Sequence, residues 1–165
     1  MPRLLMPRLA VAVIGAGVCD QGVWDVAYEI GRLIAARDDV LVTGGLSGVM
    51  EAASRGAKDA GGLVVGILPG LDASAANPAV DIAIPTGMGQ LRNGLVVTSA
   101  KAVIAVAGEW GTLSEIGLAL KQGIPVIGWN TWDLGKGGTS QEGIVRVTSP
   151  SEAVDQAYAH MATGR

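Results

Sequence analysis

Three glycine-bearing turns are the segments of this chain best suited to chemistry. They are Gly15-Ala16-Gly17, Thr43-Gly44-Gly45-Leu46-Ser47-Gly48 and Ala107-Gly108-Glu109-Trp110-Gly111-Thr112. Each follows a short apolar run and leads into a stretch of helical periodicity. The start of a helix presents unpaired backbone N–H groups and partial positive charge. Glycine lets a ligand come close to that backbone. Turn and helix start together suit an anion, most simply a phosphate. Tight packing explains any one of these turns better than a site does; three turns converging on one sheet edge reverse that balance. Arg92 adds a guanidinium fork matched to phosphate or ribose, although a solvated helix position would also suit an arginine. Asn93 follows it. Glu115 is the remaining ionisable candidate, and Thr112-Leu113-Ser114-Glu115 also reads as a capping box.

Several chemistries are excluded or weakened. Gly15 and Gly17 lack the third glycine of the dinucleotide fingerprint, and Thr43 ends the second strand where an acidic residue would hold a ribose. The lysine of a triphosphate P-loop is missing. With one His and one Cys, no metal cluster has enough ligands, so no metal is expected. Met50 and Trp110 fit either a ligand contact or core packing. Trp129 and Trp132 border a loop that suits a lid or a subunit contact. Cys19 reads as an ordinary half-buried thiol, and His160 as a solvated residue near the end of the last helix.

The candidates need a scaffold, and the patterning supplies one. Strands are expected at Leu9–Ile14, Val40–Val42, Leu63–Leu68, Val80–Ile84, Ala102–Val106, Pro125–Trp129 and Gly143–Val147. Helices are expected at Gln21–Ala36, Val49–Ala60, Gln90–Ser99 and Leu113–Gln122. A last helix opens at Ser149-Pro150-Ser151-Glu152 with a capping box and proline at its first position. Residues 69–79 and Asn130–Glu142 read as loops. Continuous apolar strands alternating with helices give a single-domain, Rossmann-like, doubly wound α/β fold. Its sheet is mainly parallel, with helices on both faces. One domain spans residues 1–165, with residues 1–8 a flexible N-terminus in which Met1 or Met6 could be the natural start.

Composition agrees. Of 165 residues, 49% are hydrophobic and 16% charged, which argues against disorder. There is no Phe, so the core must be aliphatic. A net charge of -3 gives no basic footprint for nucleic acid. The apolar run from Leu9 to Val18 is too short to span a bilayer, so no membrane association is expected. A single cysteine fits a reducing cytoplasm.

Two motifs carry a family resemblance. Thr43-Gly44-Gly45-Leu46-Ser47-Gly48-Val49-Met50-Glu51 resembles the first motif of the LONELY GUY and lysine-decarboxylase-like superfamily. Ala107-Gly108-Glu109-Trp110-Gly111-Thr112-Leu113-Ser114-Glu115 resembles its second, Pro-Gly-Gly-x-Gly-Thr-x-x-Glu. Arg92-Asn93 lies between them, where that superfamily carries its arginine. Gly48-Val49-Met50-Glu51, Gly66-Ile67-Leu68-Pro69 and Arg92-Asn93 are most similar to the molybdenum-cofactor carrier branch and its bacterial relatives. The resemblance implies a Rossmann-like homo-oligomer, dimer or tetramer. It implies either a carrier for a phosphorylated ligand, a nucleotide or molybdenum-cofactor pterin, with no required cofactor, or a phosphoribohydrolase cleaving nucleoside 5′-monophosphates. Arg92 and Glu115 would be catalytic only in the hydrolase; decarboxylase activity is not expected. The implied phosphate-binding set is Gly15, Gly17, Gly44, Gly45, Ser47, Gly48, Arg92, Asn93, Gly108, Gly111 and Thr112. The chain departs from the hydrolases in three places. Ala107 replaces the motif proline, Glu109 replaces its second glycine, and Asn93 stands where hydrolases have lysine. A carboxylate a few ångströms from a phosphate opposes binding by roughly 1 kcal/mol even in watery surroundings. Glu109 must therefore point away, pair with a cation such as Arg92, or signal a different ligand, and it would also fit a structural oligomer whose site is degenerate.

Overall fold

Continuous apolar runs become strands buried on both faces, and helices between them return the chain for the next parallel strand. The computed structural model describes residues 7–163. Residues 1–6 of the segment expected to be flexible lie outside the described residues. Seven strands form one parallel sheet: β1 (Ala10–Gly15), β2 (Val40–Thr43), β3 (Leu63–Leu68), β4 (Ile82–Pro85), β5 (Ala102–Val106), β6 (Val126–Trp129) and β9 (Ile144–Val147). Their order is β4-β3-β2-β1-β5-β6-β9. The chain therefore runs outward from β1 to β4, then jumps back to build the other half from β5. Gly15 at the end of β1 lies in register with Val106 at the end of β5. That reversal of strand order opens a crevice beyond the strands' carboxyl ends.

Helices α1 (Gln21–Ala35), α2 (Val49–Asp59) and α5 (Pro150–Thr163) cover one face. The other face carries α3 (Asn93–Thr98) and α4 (Trp110–Lys121). Alternation along β1 feeds both layers. Val11 and Val13 join the core under α1 and α2, while Ala12 and Ile14 join the one under α3 and α4. Asp20 caps α1 by accepting the Val23 N–H at 2.9 Å. The crossing of α1 and α2 needs two glycines. A Cβ on Gly31 would lie 1.9 Å from the Ala53 carbonyl oxygen, and one on Gly56 would lie 1.8 Å from that of Tyr28.

Several boundaries differ from the sequence reading, each for a local reason. The helix expected over Gln90–Ser99 splits into a 3₁₀ turn, Gly89–Arg92, and α3. The strand expected at Val80–Ile84 begins instead at Ile82 and runs to Pro85, because the Asp81 carboxylate caps the Val64 N–H at 2.9 Å beside it. Loop 69–79 contains a 3₁₀ turn, Ala73–Ala75, capped by Asp72. Loop Asn130–Glu142 contains an antiparallel hairpin of β7 (Gly135–Lys136) and β8 (Thr139–Ser140), turned by Gly137 and Gly138 at positive φ. Helix α4 starts at Trp110, three residues before the expected Leu113, with Glu109 at its N-cap and no side-chain cap. The capping box of Thr112 and Glu115 therefore does not form. At α5 the Glu152 N–H does donate to Ser149 Oγ, at 3.2 Å, but the Glu152 carboxylate reaches Thr148 N–H rather than that of Ser149.

Candidate functional site

The three glycine turns meet at the crevice between β1 and β5. The first two are stitched together. The Val49 N–H at the start of α2 donates to Ala16 O at 3.0 Å, and Ser47 Oγ donates to Gly17 O at 2.7 Å. This approach requires glycine at position 48, where φ is +65° and a Cβ would lie 2.3 Å from Ala16 O. One of the amide donors at the start of α2 is thus spent inside the protein. The amide of Gly45 is spent too, on Thr43 Oγ1 at 3.0 Å. Asn77, which the sequence reading passed over, fixes this turn from behind by donating its side-chain amide to Leu46 O at 2.9 Å. The only sequence signal for it was an Asn-Pro pair in a loop.

What remains open is a cleft of about 200 Å³. Gly15 and Gly17 line it from the first turn, and Leu46 and Met50 from the second. Gln90, Arg92 and Asn93 close it from the 3₁₀ turn and α3, and Glu109, Gly111, Thr112 and Glu115 from the start of α4. Gly44, Gly45, Ser47, Gly48 and Gly108 do not line it; they are the backing that lets the wall close up. A Cβ on Gly44 would lie 2.9 Å from Arg92 Nη2, and one on Gly45 would lie 2.7 Å from Leu68. Gly108, at φ +113°, packs on Thr112. Met50 is half-buried and faces the cleft. Gln90, also missed from sequence, stands two residues before Arg92.

Arg92 is not the solvated helix residue its composition allowed: it is 6% exposed. Its Nη1 donates to Asn93 Oδ1, and its Nη2 makes a long contact of 3.5 Å to Gly44 O. Its Nε is buried with no partner. Asn93 is oriented in turn, donating to Ser114 Oγ at 3.1 Å, and that hydroxyl donates to Gly111 O at 2.7 Å. Thr112 and Glu115 are buried beside them. Burial pushes the Glu115 carboxyl up to about 7, with Arg92 opposing the shift. Burial likewise lowers the Arg92 guanidinium from its ordinary value, with Glu115 opposing. Glu109 is exposed at the rim, and its carbonyl accepts Trp132 Nε1–H at 3.2 Å.

The remaining candidates fall into place around this cleft. Trp110 is 74% exposed and rests on Trp132, with ring centroids 5.0 Å apart. Trp129 is half-buried and packs against the core beneath α1. Cys19 is half-buried against that core, its thiol pushed up by burial and by Asp20. His160 was expected to be solvated; it is half-buried and donates from Nδ1 to Gln156 O at 2.9 Å. Among the described residues no group of three His, Cys, Asp or Glu could hold a metal ion, and no helix is long and apolar enough to cross a membrane. The cleft therefore combines a buried guanidinium with a free donor, the amide end of a twelve-residue helix and a carboxyl that titrates near neutrality. Such a set can hold an anion and exchange a proton beside it.

Residues 8–154 match the family described as SLOG cluster4. An uncharacterized protein of Archaeoglobus fulgidus is 50% identical over 118 residues, 72% of this chain and 78% of its own. The molybdenum cofactor binding protein of the phototrophic bacterium Rippkaea orientalis is similar in structure, with a TM-score of 0.86 and 38% identity over 94% of this chain and 99% of its own. The Moco carrier protein of Chlamydomonas reinhardtii is similar with a TM-score of 0.83 and 32% identity, over 94% of this chain and 99% of its own.

Proposed function

Since the chain belongs to the SLOG cluster4 family, we propose that it is a binding protein for a small phosphorylated ligand held in the Arg92 cleft. The phosphorylated pterin of molybdenum cofactor is the first candidate, as cargo, and a nucleoside monophosphate the second. The similarity to molybdenum cofactor binding and carrier proteins supports the first. One observation carries the reading: the Arg92 Nε is buried with no hydrogen-bond partner, in a residue that lines the cleft together with Gly111 and Thr112 of α4. An unpaired buried donor costs roughly 1–3 kcal/mol, and more on a charged group. A phosphate oxygen would remove that cost and would meet the α4 amides from the other side. Thr112 and Gly111 would complete the anion's shell, while Gly15 and Gly17 leave it room.

Calorimetric titration with a pterin phosphate and with AMP tests this. Arg92→Ala should weaken binding by about tenfold or more, because a charge-assisted bond contributes roughly 1.5–3 kcal/mol. Equal affinity in both proteins would remove Arg92 from the site. Native mass spectrometry of the purified protein should reveal a co-purifying phosphorylated compound.

A hydrolase remains the second reading, and Glu115 favours it. A carboxyl near neutrality suits general acid–base work. Release of adenine from AMP by the wild type, abolished in Glu115→Gln, would install it. Glu109 at the rim and Asn93 in place of lysine favour the carrier. The chain is further expected to form a dimer or tetramer. Ile82 and Ile84 on the outer strand β4, 47% and 44% exposed, support that. A reducing, cytoplasmic setting without nucleic-acid partners is consistent with one cysteine and a net charge of -3.

A further inference from the structure

Beside the Arg92 cleft runs a second, larger groove of about 670 Å³, which shares Gln90, Asn93 and Gly111 with the first. Its character is opposite. No charged residue lines it, and Leu91, Trp110 and Leu118 face it while 78%, 74% and 36% exposed. Leaving such side chains in water forgoes the free energy of burying them. The floor is unobstructed, since a Cβ on Gly94 or Gly111 would meet nothing within 4 Å. Trp110 is held in place by the Trp132 ring 5.0 Å away, which is itself tied to Glu109 O at 3.2 Å.

The two grooves are coupled through one turn of helix. Trp110 is the first residue of α4, and Gly111 and Thr112, which line the polar cleft, are the next two. Asn93 forms the wall between the grooves, fixed by Arg92 on one side and Ser114 on the other. A phosphate seated under Arg92 thus leaves whatever is attached to it at the mouth of the apolar groove. We infer that this groove takes the flat ring of the ligand, stacked on Trp110 beside Leu91, so that the site selects phosphate esters carrying a fused heterocycle over sugar phosphates or inorganic phosphate. This inference rests on the phosphate reading of the Arg92 cleft. Gln90, exposed at the shared rim, offers an amide whose donor and acceptor match the edge of such a ring.

The test compares AMP and a pterin monophosphate with ribose 5-phosphate on wild type, Trp110→Ala, Trp110→Phe and Arg92→Ala, by calorimetry, with light scattering on each. The wild type should bind at least one ring-bearing phosphate about tenfold more tightly than ribose 5-phosphate, the order expected of one ring stacked on an aromatic side chain. Trp110→Ala should erase that advantage without changing ribose 5-phosphate affinity, and Trp110→Phe should keep most of it. The inference is overturned if neither ring-bearing phosphate outbinds ribose 5-phosphate, or if Trp110→Ala leaves the ratio intact. It is also overturned if Trp110→Ala separates subunits while the ratio holds, which would make the groove a contact between copies of the chain. In those cases a loss of all binding in Arg92→Ala would leave the phosphate reading standing. Unchanged binding of every probe in Arg92→Ala would end the phosphate reading and this inference with it.

Discussion

Replacing Glu115 by glutamine should stabilise the protein at pH 8. The side chain is 7% exposed, and burial raises its carboxyl from 4.5 to about 7. The group is therefore neutral in both folded and unfolded chains below pH 4.5. Above that, the unfolded chain releases its proton first, so folding stability falls as pH rises and levels off once the folded group has ionised, above pH 7. At about 1.36 kcal/mol per pKa unit, the full loss is about 3 kcal/mol. The attraction of Arg92 already lies inside that figure, since it acts against the shift. Glutamine keeps the shape and hydrogen-bonding capacity but carries no charge at any pH. Wild type and Glu115→Gln should thus be equally stable near pH 4 and differ by about 3 kcal/mol at pH 8, or roughly 6–12 °C in melting temperature for a chain of this length. Urea denaturation of both proteins across that range is the assay. A difference that stays constant with pH, or a mutant less stable at pH 8, would mean that Glu115 is ionised in the fold and that its pairing with Arg92 dominates.

Three further outcomes follow from the same geometry. A phosphate beside Glu115 should push that carboxyl higher still. Binding of a phosphorylated ligand at pH 7.5 should then take up protons, seen as calorimetric enthalpies that vary with the buffer's ionisation heat; the same variation in Glu115→Gln would contradict it. Gly31→Ala or Gly56→Ala should cost roughly 1–3 kcal/mol in urea denaturation, because the new methyl meets backbone and α1 must move off α2; unchanged midpoints would refute the close crossing. Light scattering should give a dimer or tetramer at micromolar concentration, with Ile84→Lys shifting it toward smaller species; a wild-type monomer would contradict that.

The sequence by itself determined the scaffold and the edge. Parallel strands buried on both faces must be apolar along their whole length, so β1, β3 and β5 stood out as runs of Val, Ile, Leu and Ala. Glycines after β1, β2 and β5 marked turns into helices, and the tight stitching of Gly48 to Ala16 is why glycine is needed there. The order of the two superfamily-like motifs, with Arg92 between them, was legible for the same local reason. Other features rest on contacts between residues far apart in the chain, and no local pattern encodes those. The burial of Arg92 depends on Gly44, 48 residues earlier, having no side chain. Glu115 read as a cap because Thr-Leu-Ser-Glu fits one. The tertiary structure starts α4 at Trp110 instead, and the carboxyl turns into a desolvated cleft beside a guanidinium. The crossing at Gly31 and Gly56 is invisible in the periodicity of either helix, since it reflects how closely two backbones approach. Sequence fixes which groups can be charged or small; only the packed neighbours set their dielectric, their partners and the space left for a ligand.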